Sequence, residues 1–263
     1  MDLVEAKARG LDRQARHPWE MARVEVVRSL IRRHVNLAPD AVVFDIGCGD
    51  TFVVEQLAAD HPTACFYAVD TAFTDELIAH YRDRLDNPRI LPFASLESIS
   101  PPPRQRVSLV LLMDVLEHID DDRGFLAALL AKPYIGPETR FLITVPAYQS
   151  LFCSHDTFLG HHRRYSNQRL RQLADSSGLR VLDIGYFFST LLPVRMLQVF
   201  KERALSTGAA NGSSGVASWT GGGAKAAILR GALVLDWRLS RILHALGIRL
   251  AGLSNYAICA TSA

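Results

Sequence analysis

The sequence predicts an α/β fold built on a mostly parallel sheet, doubly wound with helices on both faces. Three observations carry that expectation. Short apolar runs alternate with segments of helical periodicity along most of the chain, the pattern of successive strand–helix–strand units. The run Val42-Val43-Phe44-Asp45-Ile46 opens directly onto Gly47-Cys48-Gly49-Asp50, the layout of a buried strand feeding a tight turn and a helix N-terminus. Asp70 closes the next apolar run, Cys65-Phe66-Tyr67-Ala68-Val69, which places a carboxylate at the C-terminal edge of a second strand.

The elements follow in order. Val24 to His34 has helical periodicity and precedes a first strand at Ala41–Ile46. A helix-compatible segment, Thr51 to Ala59, follows the glycine turn, then the second strand, Cys65–Val69, and a weak third at Arg89–Leu91. Pro101-Pro102-Pro103 breaks the chain ahead of a strong fourth strand, Val107–Met113. Phe125–Ala131 reads as a helix and Arg140–Val145 as strand five. Gln168–Ser177 is a helix closed by Gly178, followed by strand six at Val181–Phe187, and Tyr256–Thr261 is the last strand.

Residues 188–254 form a helical insertion before that last strand, so the predicted domain comprises 1–187 and 255–263. Leu191–Leu205 and Lys225–Leu246 have helical patterns, separated by a Gly/Ser/Ala-rich linker at Ser206–Gly223. Ile228, Ala232, Leu235, Leu239, Ile242 and Leu246 fall on one stripe, with Arg230, Arg238 and Arg241 off it. Such a stripe packs against a core in ordinary globular helices. It also suits a peripheral membrane contact.

Composition narrows the classes. The chain has 263 residues, 49% hydrophobic and 21% charged, with net charge +2, ample for one substantial core and without the basic excess of a polyanion binder. Cys48, Cys65, Cys153 and Cys259 are scattered and form no metal-ligand pair, as expected of reduced thiols in a cytoplasmic protein. Met1 to Asp12 lacks an apolar core of the signal-peptide kind, and no apolar run is long enough to span a bilayer.

The Asp45-x-Gly47-x-Gly49 spacing differs from that of dinucleotide binders and resembles motif I of the class I S-adenosylmethionine (SAM) methyltransferases. The strand count is similar to their seven-stranded, Rossmann-like sheet, and the likeness covers almost the whole chain. The resemblance implies that Asp45, Gly47 and Gly49 hold SAM, with S-adenosylhomocysteine as product. It also implies that Asp70 accepts hydrogen bonds from both ribose hydroxyls. Ser95 and Leu96 then lie beside the adenine, although Ala94-Ser95 stands where relatives often carry an aspartate. His17-Pro18-Trp19-Glu20-Met21-Ala22-Arg23 resembles a tryptophan–arginine motif of one branch. There Trp19 covers the cofactor and Arg23 pairs with its carboxylate; alternatively Trp19 staples the N-terminal helix to the sheet.

Asp114-Val115-Leu116-Glu117-His118 resembles the E-x-x-E-H segment of ubiquinone-pathway O-methyltransferases, where these residues hold a divalent cation. Here the first acid is one methylene shorter. The segment also resembles the "VLEH" of metal-independent relatives, in which it shapes the cofactor pocket. The expectation is therefore Asp114 at the cofactor and no metal.

The stretch Leu151–Ser166 resembles the "HD…GHxRRY" signature of a bacterial branch of these enzymes. It follows Val145-Pro146 and so should lie beyond strand five, over the pocket. A sulfonium methyl is already activated, which leaves alignment and proton removal to the protein. His155, oriented by Asp156, is the first candidate base and His161 the second. Arg163 and Arg164 suit an anionic acceptor group, with Tyr165 beside them. The alternative is a loop latched by arginine–carboxylate pairs over a packed Tyr165. No proline-proline-aromatic segment follows strand four, and Cys48 lies inside the glycine turn, so a nucleic-acid acceptor is not expected. The reading is O-methylation of a small or lipid-like acceptor, with the loop and the 188–254 insertion forming its site together. C- or N-methylation and non-catalytic SAM binding or scaffolding remain alternatives.

Overall fold

The computed structural model describes residues 16–99, 105–205 and 223–262. The proline run Pro101–Pro103, the N-terminal segment through Asp12 and all of the Gly/Ser-rich linker except Gly223 lie outside the described residues.

Helix α1 spans Pro18–His34 and starts six residues earlier than its apolar periodicity suggests. The reason is local. Pro18 suits the first turn, the His17 ring accepts from Trp19 N, and the Glu20 carboxylate accepts from His17 N. Strand β1 (Val42–Ile46) leads through the glycine turn to α2 (Phe52–Asp60), then β2 (Cys65–Val69), α3 (Asp75–Leu85) and β3 (Ile90–Phe93). Strand β4 (Val107–Met113), α4 (Asp122–Leu130), β5 (Arg140–Pro146), α5 (Ser154–Phe158), α6 (Asn167–Ser176) and β6 (Leu179–Phe187) follow. Helices α7 (Leu192–Leu205) and α8 (Gly223–Ala245) precede β7 (Ser254–Thr261).

The described strands form one seven-stranded sheet in the order β3-β2-β1-β4-β5-β7-β6. Strands β1 to β5 are parallel, and β7 inserts antiparallel between β5 and β6. The chain steps outward from β1 to β3, then returns to pair β4 with the other side of β1. That reversal opens a crevice beyond the C-terminal ends of β1 and β4, where ligands of doubly wound sheets sit. Gly47–Asp50 and Asp114–His118 follow those two strand ends.

Both sheet faces are covered, which explains the near-continuous apolar strands. Val43, Leu109, Leu111, Leu142 and Ile258 pack on one face, and Phe44, Val110, Leu112, Ile143 and Cys259 on the other, the two-residue alternation of a pleated strand.

Helix α8 lies along α1 and turns the apolar stripe outward. Leu233 and Trp237 are buried, Trp237 meeting the Tyr256 ring edge-on at 5.6 Å. Arg230 pairs with Glu25 and Arg241 with Asp183, both on the domain side. Ile228, Leu235, Leu239, Ile242 and Leu246 are exposed, so the core-packing arrangement is not the one adopted. An aromatic anchor and two ion pairs set the helix rotation, against its largest apolar stripe.

Candidate functional site

The turn after β1 is built from residues that tolerate left-handed backbone. Gly47 has φ of +73° and Gly49 of +59°. A Cβ on Gly47 would lie 2.6 Å from Val115 Cγ2, so this turn packs directly against the one after β4. Gly47 N and Cys48 N donate to Val69 O at 2.7 and 3.2 Å, tying the turn to the end of β2. There Asp70 accepts from Gly49 N at 2.8 Å and Ala72 N at 2.9 Å, one on each oxygen. Two backbone donors thus set the carboxylate while each oxygen retains a lone pair for a ligand hydroxyl.

Asp45, within β1, is 1% exposed, and neither carboxylate oxygen has a hydrogen-bond partner among the described residues. Burial pushes its pKa up to about 7; Arg23 opposes the rise, and Asp70 and Asp50 add to it. A buried carboxylate without partners is uncommon, and a ligand donor or cation would satisfy it. Ser95, past the end of β3, is held in a turn by reciprocal bonds with Ser98, and Leu96 next to it is half-buried.

Arg23 reaches from α1 to the turn after β4. Its guanidinium binds Asp114 and donates to Thr144 Oγ1 at 2.7 Å. Asp114 itself has φ of +56° and accepts from Thr144 Oγ1 at 3.2 Å. Trp19 lies 5.2 Å from the Arg23 guanidinium and 6.2 Å from the Phe188 ring, joining α1 to the start of the insertion.

Glu117, in the short helical turn Leu116–His118, is fully buried with both oxygens unpartnered among the described residues. Burial, reinforced by Asp114, raises its pKa well above the carboxylate range. The sequence grouped Asp114 with Glu117 and His118. The structure commits Asp114 to Arg23 and brings His161 in instead: ligand atoms of Glu117, His118 and His161 lie within 4.8 Å of one another. Among the described residues this set could receive a divalent cation, provided Glu117 ionises.

The loop after β5 folds onto this same turn. His162 N donates to Glu117 O at 2.7 Å. The His118 and His161 rings meet edge-on at 4.7 Å. Asp156 is buried and lies 2.9 Å from His161 Nδ1, 2.8 Å from Arg164 Nε and 3.2 Å from Arg195 Nη2. Burial opposes its ionisation, but bonds from His161, Arg164 and Cys153 N outweigh that and hold the carboxyl well below its usual range. Asp156 therefore orients His161, where the sequence reading paired it with His155. His155 is half-buried, and burial together with Arg195 lowers its pKa, so its ring is neutral at physiological pH.

The substrate-facing arginines and tyrosine of the sequence reading are engaged inside the fold. Arg163 pairs with Asp122 at 3.0 Å and Asp120 at 3.2 Å. Arg164 also donates to Ala147 O at 3.2 Å. Tyr165 is fully buried, donating to Asp122 Oδ2 at 2.8 Å beneath the loop, and burial and Asp122 push its pKa upward. This is the latched arrangement that the sequence left open. The Arg163 partner Asp120 lies 43 residues away in sequence and leaves no signature in a local motif.

Three residues of α7 that the sequence reading overlooked complete the site's outer wall. Arg195 reaches Asp156, Glu202 accepts from Ser154 N at 2.9 Å, and Arg203 donates to Ser150 O at 2.8 Å. Their spacing of seven and eight residues places them on one helix face, the only trace they leave in the sequence.

A family model described as a methyltransferase domain matches residues 19–184. That span contains Trp19, the glycine turn, Glu117 and His161. The chain belongs to this methyltransferase family. The methyltransferase superposes on the cyclase SpnF with TM-score 0.57 and 15% identity, covering 99% of this chain and 92% of that one. Coclaurine N-methyltransferase, bound to N-methylheliamine and SAH, gives TM-score 0.54 at 11% identity over 90% of this chain and 70% of that one. A SAM dependent methyltransferase from Aquifex aeolicus gives 0.51 at 18% identity, covering 71% and 93%. Identities this low establish a shared fold. No curated protein sequence matches significantly. The family makes this a SAM-dependent methyltransferase, and Asp45 without a hydrogen-bond partner among the described residues, the glycine cradle and the preset Asp70 fit that cofactor.

Proposed function

We propose that this enzyme methylates a hydroxyl of a small or lipid-like acceptor, with His161 as proton acceptor. The observation that carries the reading is the Asp156–His161 pair, 2.9 Å apart, on a loop packed against the turn after β4. When bound, SAM supplies a methyl group already activated by its sulfonium. Asp45, Gly47, Gly49 and Asp70 would hold it, leaving the loop to orient the acceptor and take its proton. With Asp156 ionised, His161 Nδ1–H donates that bond, which makes Nε2 the ring nitrogen that would receive a hydroxyl proton. Arg164 and Arg195 already balance the Asp156 charge, so Asp156 serves chiefly to fix tautomer and ring orientation. A neutral amine needs no base before methyl transfer, and this is why the pair favours oxygen over nitrogen. His155, neutral and next to Asp156, is the second candidate.

The reading includes no metal, because burial and Asp114 both disfavour the ionised form of Glu117. The direct test incubates the protein and its His161→Ala variant with labelled SAM and fractionated cell extract. A labelled ether or ester product formed by the parent alone supports the assignment, whereas a labelled amine or carbon product overturns it.

A further inference from the structure

We propose that the outward faces of α7 and α8 seat this methyltransferase on an anionic lipid surface. The proposal goes beyond the acceptor reading and does not depend on it. On α8 and just past its end, Ile228, Leu235, Leu239, Ile242 and Leu246 are between 51% and 74% exposed. Their spacing confines them to an arc of about 60°. On α7, Met196, Leu197 and Phe200 are 54%, 54% and 69% exposed. Apolar side chains concentrated in this way mark a surface that meets something apolar.

Charge selects the occupant. Residues 188–254 hold eight lysines and arginines against two acids, a net +6 in a chain of +2, which leaves −4 for the remainder. Arg195, Arg230 and Arg241 pair with carboxylates of the domain. Lys201, Lys225, Arg238 and Arg249 are exposed, beside the apolar stripes or just past the end of α8. Asp236 is buried, and Glu202 is held by Ser154 N. An apolar stripe flanked by cations that can extend to headgroups is the pattern of an interfacial helix on anionic lipid. A second copy meeting this face through a two-fold contact would instead oppose like charge to like. No described helix is long and apolar enough to cross a membrane, so the contact is peripheral. Through Arg195, Glu202 and Arg203, α7 also braces the loop carrying Asp156 and His161, which puts the candidate site next to the docked face.

The test is co-sedimentation of the full chain with vesicles of phosphatidylcholine alone, or of equal parts phosphatidylcholine and phosphatidylglycerol. Binding to the anionic vesicles is expected to be stronger by about tenfold or more and to weaken with salt. Leu235→Ser/Leu239→Ser/Ile242→Ser alters only exposed side chains, so it should keep the parent melting temperature and lose that binding. Lys225→Glu/Arg238→Glu should do the same. Equal binding to both vesicle types, or undiminished binding by the triple-serine variant, would overturn the proposal. So would a dimer in light scattering that the serine variant dissolves while vesicles capture neither form. Vesicle binding is read without any acceptor, so a failed hydroxyl assignment leaves this result intact.

Discussion

Gly47 and Val115 hold two turns in contact: a Cβ on the glycine would stand 2.6 Å from Val115 Cγ2. The glycine is therefore required twice, by its φ of +73° and by the neighbour. Gly47→Val should destabilise the fold by about 1–3 kcal/mol and abolish measurable SAM binding. Asp70→Ala should keep the fold and weaken SAM by about 1–3 kcal/mol, since it removes hydrogen bonds to a charged group. Calorimetry with unchanged affinity in both variants would remove the glycine turn from the cofactor site.

His161→Ala should lower turnover by roughly 10²–10⁴ with SAM affinity nearly intact. His155→Ala should have the smaller effect, because Asp156 orients the other ring. Steady-state kinetics on the identified acceptor decide between them. The reverse ranking would transfer the role to His155.

Asp45 makes a pH-dependent prediction with a definite sign. Its folded pKa, about 7, lies above the ordinary aspartate value of 3.8, so between those values the folded state binds the extra proton. Stability of the cofactor-free protein should then fall as pH rises through that window, by up to about 4 kcal/mol. Cationic SAM favours the ionised carboxylate, so its affinity should rise from pH 6 to 8. Asp45→Asn should flatten both trends; denaturant melts and calorimetry across this range provide the check.

Chelator should leave turnover unchanged, because burial and the neighbouring Asp114 raise the Glu117 pKa and so disfavour the ionised carboxylate that a cation needs. Turnover that vanishes with chelator and returns with magnesium or zinc would instead assign Glu117, His118 and His161 as a metal site.

The sequence alone determined the scaffold and its candidate cofactor edge. Val42–Ile46, Gly47, Gly49 and Asp70 are legible because their physics is local: an apolar run is a buried strand, and closely spaced glycines are a turn that approaches a ligand. The roles inside the His155–Tyr165 segment were not legible. Its residue types announced chemistry, but whether Asp156 orients His155 or His161, and whether Arg164 faces substrate or carboxylate, depends on which groups meet in space. Helix α8 shows the same limit from the other side. Its periodicity revealed an amphipathic helix, yet the rotation came from Trp237 against Tyr256 and Arg241 against Asp183, partners on a strand and a sheet edge distant in the chain. Local propensity and periodicity are written in consecutive residues; pairing between remote charges, and the burial that shifts their pKa values, exists only once the chain has folded.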